Sequence, residues 1–160
     1  MRIAIVKLSS LGDIVNTMFV LQFIKKHYPL SEIDWIVEKN FEGVLKYNPH
    51  ISNIKTINLQ KAKREKSLLV LLRELSKVKS FGDYDLVIDF QGLIKTAIVS
   101  KLLRSKKIVG FDWSSIREGV ASFIYDQKVN IGYDKNTILR YKLNLLKSVL
   151  FLLFLSCIRK

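Results

Sequence analysis

Short apolar runs alternate with longer stretches of helical periodicity along most of the chain. Arg2-Ile-Ala-Ile-Val-Lys7 sets four apolar residues in a row between two cations, the pattern of a strand buried on both faces. From Asp13 to Tyr28 the residues Ile14, Met18, Leu21 and Ile24 keep roughly helical spacing, and Pro29 ends the helix. A second strand is expected over Glu32–Glu38, a short helix over Phe41–Tyr47 closed by Asn48-Pro49, and a third strand over Ile54–Leu59. Leu68, Leu71, Leu72, Leu75 and Val78 mark one face of a basic helix. The alternation continues with a strand at Tyr84–Asp89, a helix around Leu93–Leu103 and a strand at Lys107–Gly110. A helix near Ser115–Phe123, a strand near Gln127–Ile131 and a last helix from Asn136 complete it.

Strands separated by helices need crossover connections, which implies a mainly parallel sheet covered on both faces. The expected fold class is a doubly wound α/β domain. Ligands of such sheets bind outside the carboxyl ends of the strands. Function is therefore sought in the loops after Lys7, Glu38, Leu59, Asp89 and Gly110.

Composition narrows the partners. A chain of 160 residues makes one domain, or one half of a two-domain protein, and 49% hydrophobic residues suffice for a core. Subtracting 14 acidic from 27 basic residues leaves +13, which calls for an anionic partner: nucleic acid, a phospholipid surface or a phosphorylated substrate. Nucleic acid is set aside, because no aromatic residues interleave with the cationic cluster Lys61, Lys63, Arg64 and Lys66 to stack bases. A single cysteine, Cys157, cannot pair within the chain and fits a reducing compartment. Four apolar residues before Lys7 are too few for an export signal. The apolar run Val149–Leu155, extended to Ile158, falls short of the about 20 residues that span a bilayer.

The first loop holds the candidate chemistry. Lys7-Leu-Ser-Ser-Leu-Gly-Asp13 has neither the three-glycine dinucleotide fingerprint nor the phosphate-binding P-loop pattern. Ser9 and Ser10 offer hydroxyls, Gly12 permits close backbone approach, and Asp13 is a carboxylate at the mouth of the sheet. Free N–H groups and the dipole at a helix start favour a carboxylate there, so it can take up a proton at neutral pH. Aspartate is equally a favoured N-cap, and spacing alone leaves capping and catalysis both open. His27 and His50 stand apart from each other, so no metal cluster is expected.

This segment resembles the K-x-S-S-x-G-D opening of the lipopolysaccharide core heptosyltransferases. The likeness continues in order through Asp34-Trp-Ile-Val-Glu38, Tyr84-Asp-Leu-Val-Ile-Asp-Phe-Gln-Gly-Leu93, Gly110-Phe-Asp-Trp113, and Arg117-Glu118 with Ala121-Ser122. It favours the branch that adds the first heptose. The resemblance implies a GT-B architecture, two Rossmann-like domains across a cleft, of which this chain supplies the N-terminal, acceptor-binding one. It implies that Asp13 is the general base that deprotonates a Kdo hydroxyl of Kdo-lipid A. By the same likeness that hydroxyl displaces ADP from ADP-L-glycero-D-manno-heptose with inversion, without metal or cofactor.

The resemblance also implies that Lys61, Lys63, Arg64 and Lys66 grip acceptor phosphates and carboxylates, matched by region only, with Arg117 and Lys95 nearby. Ser9, Ser10 and Gly12 complete the acceptor side. A solvated basic face is the other reading of the cluster, and a salt bridge to Glu118 or Asp112 the other reading of Arg117. Asp89 and Gln91 either line the cleft or hold the loop before Gly92, and Trp35 and Trp113 are expected to pack. The location implied is the cytoplasmic face of the bacterial inner membrane, with peripheral contact.

Residues 1–142 are expected to form the acceptor domain and 143–160 an apolar tail. The family's donor domain is expected to have no counterpart within these 160 residues. The tail reads as the product of a shifted frame near residues 142–148, or as a membrane-docking helix. Poor turnover is expected of the chain alone. Two further readings stand beside this one: a module that binds Kdo-lipid A without catalysis, and a sister enzyme adding a later core sugar.

Overall fold

The computed structural model describes residues 1–131. Its elements run β1 (Arg2–Val6), α1 (Leu11–His27), β2 (Glu32–Glu38), α2 (Glu42–Leu45), β3 (Asn53–Ile57), α3 (Leu59–Glu65), α4 (Leu68–Val78), β4 (Asp83–Tyr84), β5 (Leu86–Asp89), α5 (Ile94–Leu102), β6 (Arg104–Ser105), β7 (Ile108–Phe111) and β8 (Gln127–Val129). Six strands form one sheet in the order β3-β2-β1-β5-β7-β8, all neighbours parallel, and β4 pairs with β6 in a separate two-stranded ribbon. Order reverses between β1 and β5. The chain first builds outward from β1 to β3, then returns and builds the other way from β5. That reversal opens a crevice at the carboxyl ends of β1 and β5.

Burial follows from the period-two alternation of strands. Ile3 and Ile5 of β1 join Ile33, Trp35 and Val37 of β2 in one apolar layer with Ile14, Val20, Leu21 and Ile24 of α1. Ala4 and Val6 face the opposite layer, with Ile36, Val87, Val78 of α4, and Ala97 and Val99 of α5. Each fully buried aliphatic side chain contributes about 1.5–3 kcal/mol relative to exposure. Both faces of the central strands are thus covered, which is why their sequences read as unbroken apolar runs.

Several expectations are corrected. The segment near Ser115–Phe123 is not an α-helix but two 3-10 turns, Trp113–Ser115 and Gly119–Ile124. Tyr84–Asp89 is not one strand. Tyr84 pairs with Ser105 in the ribbon, and Asp85 is drawn aside, its N–H donating to Arg2 O at 2.9 Å and its carboxylate meeting Lys106 Nζ at 2.6 Å. The basic segment after β3 forms a helix of its own, α3. Of the residues that mark one face of α4, Val78 is buried while Leu68 and Leu72 are exposed. Trp35 packs as expected, buried with its Nε1 donating to Lys7 O at 3.2 Å. Trp113 packs only in part, edge-on to Phe123 and beside Gly119, and is 55% exposed. The expected helix from Asn136 and the tail 143–160 lie outside the described residues.

Two of the likeness segments turn out to serve the far edge of the sheet. Asp34, fully buried, accepts from Arg2 Nη2 at 3.3 Å, Asn53 Nδ2 at 2.7 Å and Tyr84 OH at 2.9 Å. Burial, reinforced by the Asp34 carboxylate, pushes the Tyr84 hydroxyl well above its ordinary value. This network ties the amino ends of β1, β2 and β3 together, opposite the ligand end.

Candidate functional site

At the switch point the last residue of β1 leads into Lys7 and Leu8, both still buried, before the chain reaches α1. Gln91, two residues past β5, clamps this connection. Its Oε1 accepts from Leu8 N at 2.8 Å and Ser9 N at 3.2 Å, and its Nε2 donates to Ser9 Oγ at 3.1 Å. Gln91 is itself held by Asp89, whose Oδ1 accepts from the N–H of Gln91 at 2.8 Å and of Gly92 at 3.1 Å. The other oxygen of Asp89 accepts from Tyr125 OH at 2.8 Å. Asp89 and Gln91 therefore hold the loops together rather than line the cleft. Gly92 is required at its position, with φ of +69° and a Cβ that would fall 2.4 Å from Ile116 Cγ2.

Asp89 is completely buried, and burial pushes its carboxyl above the ordinary value, against the opposing pull of its donors. A carboxyl raised in the folded state contributes stability that is full below about 3.8, the unfolded value, and is lost as pH rises through the folded pKa. Asp89→Asn removes the titration. Urea unfolding from about pH 4.5 to about pH 8 is thus expected to show wild type losing stability relative to the variant as pH rises. A difference independent of pH would contradict the raised carboxyl.

The Ser9–Ser10 peptide is cis, and Ser10 occupies the N-cap position of α1 without a side-chain capping bond. Asp13 is the third residue of the helix, so it is not the N-cap. Its backbone oxygen accepts from Thr17 Oγ1 at 2.7 Å, while its side chain is 42% exposed. The side chain meets one group: Lys7 Nζ, 3.4 Å from Oδ2, on a side chain only 3% exposed. Lys7 Nζ also lies 3.4 Å from Phe90 O. Tight charge-assisted bonds run about 2.7–2.9 Å, so this is a loose ion pair. Among the described residues Oδ1 of Asp13 has no hydrogen-bond partner. A buried lysine on one side and an open oxygen on the other is an arrangement that can receive a proton.

Gly12 sits at the exposed start of α1, and a Cβ there would have nothing within 4 Å. Gly12→Ala is expected to raise stability by about 0.5–1 kcal/mol, as read by urea unfolding, because glycine in a helix costs that much against alanine. A loss of stability would show that the space is filled.

The remaining candidates lie on neighbouring elements. Lys61, Lys63 and Arg64 are on α3 and Lys66 is its left-handed C-cap, all exposed. Lys61 is 4.0 Å from Glu65, whereas Lys63 and Lys66 line a shallow cavity of about 320 Å³ with Leu59, Leu68 and Leu71. Lys95, in the first turn of α5, lines a cleft of about 490 Å³ between Leu59, Leu71, Leu75 and Ile98. The rim residue Glu118 accepts from Ile94 N at 2.7 Å. Arg117 is exposed between the two 3-10 turns. Its expected bridges are not formed among the described residues, because Glu118 caps α5 and Asp112 accepts from Ser114, Ser115 and Asn130. The structure thus joins Ser9, Ser10, Gly12 and Asp13 in one turn and brings Lys95 to a cleft shared with α3 and α4. It records no contact between Arg117 and either group.

Two residues escaped the sequence reading. Lys7 passed as a strand terminus, although a lysine closing a wholly apolar strand at the ligand end is a signal. Glu38 closes β2 in the same way. It is buried, its Oε1 lacks a partner among the described residues, and burial pushes its carboxyl up while Lys95 opposes. Among the described residues no group of three or more His, Cys, Asp or Glu is placed to hold a metal ion.

Residues 71–151 match the family model described as glycosyltransferase family 9 (heptosyltransferase). Lipopolysaccharide heptosyltransferase 1 of Campylobacter coli is 45% identical over 141 residues, covering 88% of this chain and 40% of the relative. The protein of the same description from Escherichia coli K12 is 30% identical over 147 residues, covering 88% and 45%. The solved structure of E. coli heptosyltransferase WaaC with ADP-2-deoxy-2-fluoro heptose superimposes with a TM-score of 0.84 at 28% identity, over 92% of this chain and 48% of that one. The chain spans less than half the length of these relatives.

Proposed function

Because the chain belongs to glycosyltransferase family 9, the heptosyltransferases, we propose that it is the acceptor-binding part of an enzyme of the lipopolysaccharide inner core. The reaction is inverting transfer of heptose from ADP-L-glycero-D-manno-heptose to a Kdo residue of Kdo-lipid A. The observation that carries this reading is Asp13, an accessible carboxylate in the first turn of α1 at the switch point, with one oxygen beside Lys7 and the other open.

In the proposed step the acceptor hydroxyl gives its proton to Oδ1 of Asp13. The hydroxyl oxygen forms the new bond to the anomeric carbon as the bond from that carbon to the diphosphate breaks. ADP leaves with the electron pair from the opposite face, which inverts the centre. Lys7 fixes the carboxylate from below, and the Asp89–Gln91 clamp fixes the turn that carries it. Lys63, Arg64 and Lys66 draw in the phosphates and carboxylates of the acceptor, helped by Lys95 and Arg117. Lys61, held near Glu65, adds to the same field. No helix among the described residues is long and apolar enough to cross a membrane. Work at the cytoplasmic face of the inner membrane, with peripheral contact, belongs to the same proposal.

Calorimetric titration with Kdo-lipid A tests the reading. Changing Lys63, Arg64 and Lys66 together to glutamine is expected to weaken binding by about tenfold or more, since hydrogen bonds to charged groups are worth roughly 1.5–3 kcal/mol each. Unchanged affinity would remove α3 from the acceptor site.

A further inference from the structure

Away from Asp13, α4 leaves an apolar stripe uncovered. Leu68, Leu69 and Leu72 are 67%, 80% and 51% exposed, whereas Leu71 and Leu75 line the cleft toward α5. An α-helix turns about 100° per residue, so Leu68 and Leu72 stack on one side with Leu69 next to them, and Arg73 lies one turn beyond Leu69. Cations border the stripe: Lys63 and Lys66 line a cavity with Leu68, and Arg73 lines one with Leu69. Lys63, Arg64, Lys66 and Arg73 are exposed and form no ion pair among the described residues. The two acids nearby are engaged elsewhere, Glu65 near Lys61 and Glu74 accepting from Asn58 N at 2.8 Å.

We propose that this leucine stripe and its cationic border dock the chain on an anionic phospholipid bilayer. Apolar side chains flanked by lysine and arginine are the composition of helices that lie in the headgroup boundary. The cores of protein interfaces, in contrast, are depleted of lysine. At 11 residues α4 is about 16 Å long, too short to span and suited to lying flat. Leucines enter the acyl boundary while the surrounding cations meet lipid phosphates. The docking rests on the proposed lipid-linked acceptor only for its purpose, to bring the chain to where such an acceptor is anchored.

Co-sedimentation of the full chain with vesicles containing neither Kdo nor lipid A tests it separately from the acceptor site. Binding to phosphatidylglycerol vesicles is expected, and binding to pure phosphatidylcholine is expected to be at least about tenfold weaker, since each basic residue near an anionic surface adds about fivefold. The triple variant Leu68→Gln, Leu69→Gln, Leu72→Gln changes exposed positions only, and its circular dichroism is expected to match wild type. Its affinity for the anionic vesicles is expected to fall by at least about tenfold, and that of Arg73→Gln by about fivefold. Wild-type binding by the triple variant would overturn the proposal and assign the affinity to another segment, residues 143–158 included. Equal binding to neutral and anionic vesicles would overturn it as well.

Discussion

Replacing Asp13 with alanine is expected to lower heptose transfer by about 10²–10⁴-fold, the usual contribution of a general base. Acceptor affinity should stay within about threefold, because the grip proposed for the acceptor's charged groups lies on other residues. The assay suits a chimaera that joins residues 1–131 to the rest of the Campylobacter coli relative, supplied with ADP-heptose and Kdo-lipid A. Asp13→Asn separates chemistry from architecture. Asparagine keeps the size of aspartate and a hydrogen-bonding oxygen near Lys7, yet it is no base. Both variants are expected to fail alike in turnover, and the asparagine variant, which keeps an oxygen beside Lys7, is expected to unfold nearer the wild-type urea midpoint than the alanine variant. Full activity in the asparagine variant would leave Asp13 a structural residue.

The largest stability effect is expected at Gly110, in the buried middle of β7. A Cβ on Gly110 would lie 2.5–2.6 Å from three ring carbons of Tyr125. Overpacking a core typically costs about 1–3 kcal/mol. Here the ring cannot shift freely, because its hydroxyl, itself raised by burial and the neighbouring carboxylate, donates to buried Asp89. Moving it leaves a buried carboxyl short of a donor, which adds about 1–3 kcal/mol. Gly110→Ala is therefore expected to cost at least about 2 kcal/mol in urea unfolding, a sizeable part of the about 5–15 kcal/mol that domains hold in total. Asp89 also anchors Gln91 and through it the first loop, so the same variant is expected to lose transfer activity in the folded fraction. A cost below about 1 kcal/mol would show that Tyr125 is free to move.

Strands were the legible part of the fold. Glu32–Glu38 and the helix Leu68–Val78 match the expected bounds, because burial on both faces writes an apolar run and an amphipathic helix writes its period. Elements with weaker signatures were lost. The helix Leu59–Glu65 has one buried residue, Ala62, among charges, so no apolar period marks it. Periodicity found the leucines of α4 but could not say which of them the fold would cover. At Ser115–Phe123 the apolar residues suggested a helix, yet Gly119 sits against the Trp113 ring and the chain turns in 3-10 steps instead.

The site was legible where chain neighbours make it. Ser9, Ser10, Gly12 and Asp13 fall in one turn, so the first loop could be named from its order alone. Spacing left Asp13 open as an N-cap, a reading removed only when the structure placed Ser10 at that position and Asp13 third in the helix. The approach of Lys7 to Asp13 depends on a strand end and a helix start meeting in space, and the clamp by Gln91 depends on a residue 82 positions away from Ser9. Such pairings follow from sheet order, which alternation alone does not specify.

The proposed proton transfer to Asp13 depends on where an acceptor hydroxyl comes to rest. A crystal structure of the chain with a Kdo-containing acceptor measures this directly. The expected result is a Kdo hydroxyl oxygen about 2.6–3.2 Å from the Asp13 carboxylate, with Lys7 still on the opposite side. A bound acceptor whose hydroxyls all lie beyond reach of Asp13 would contradict it.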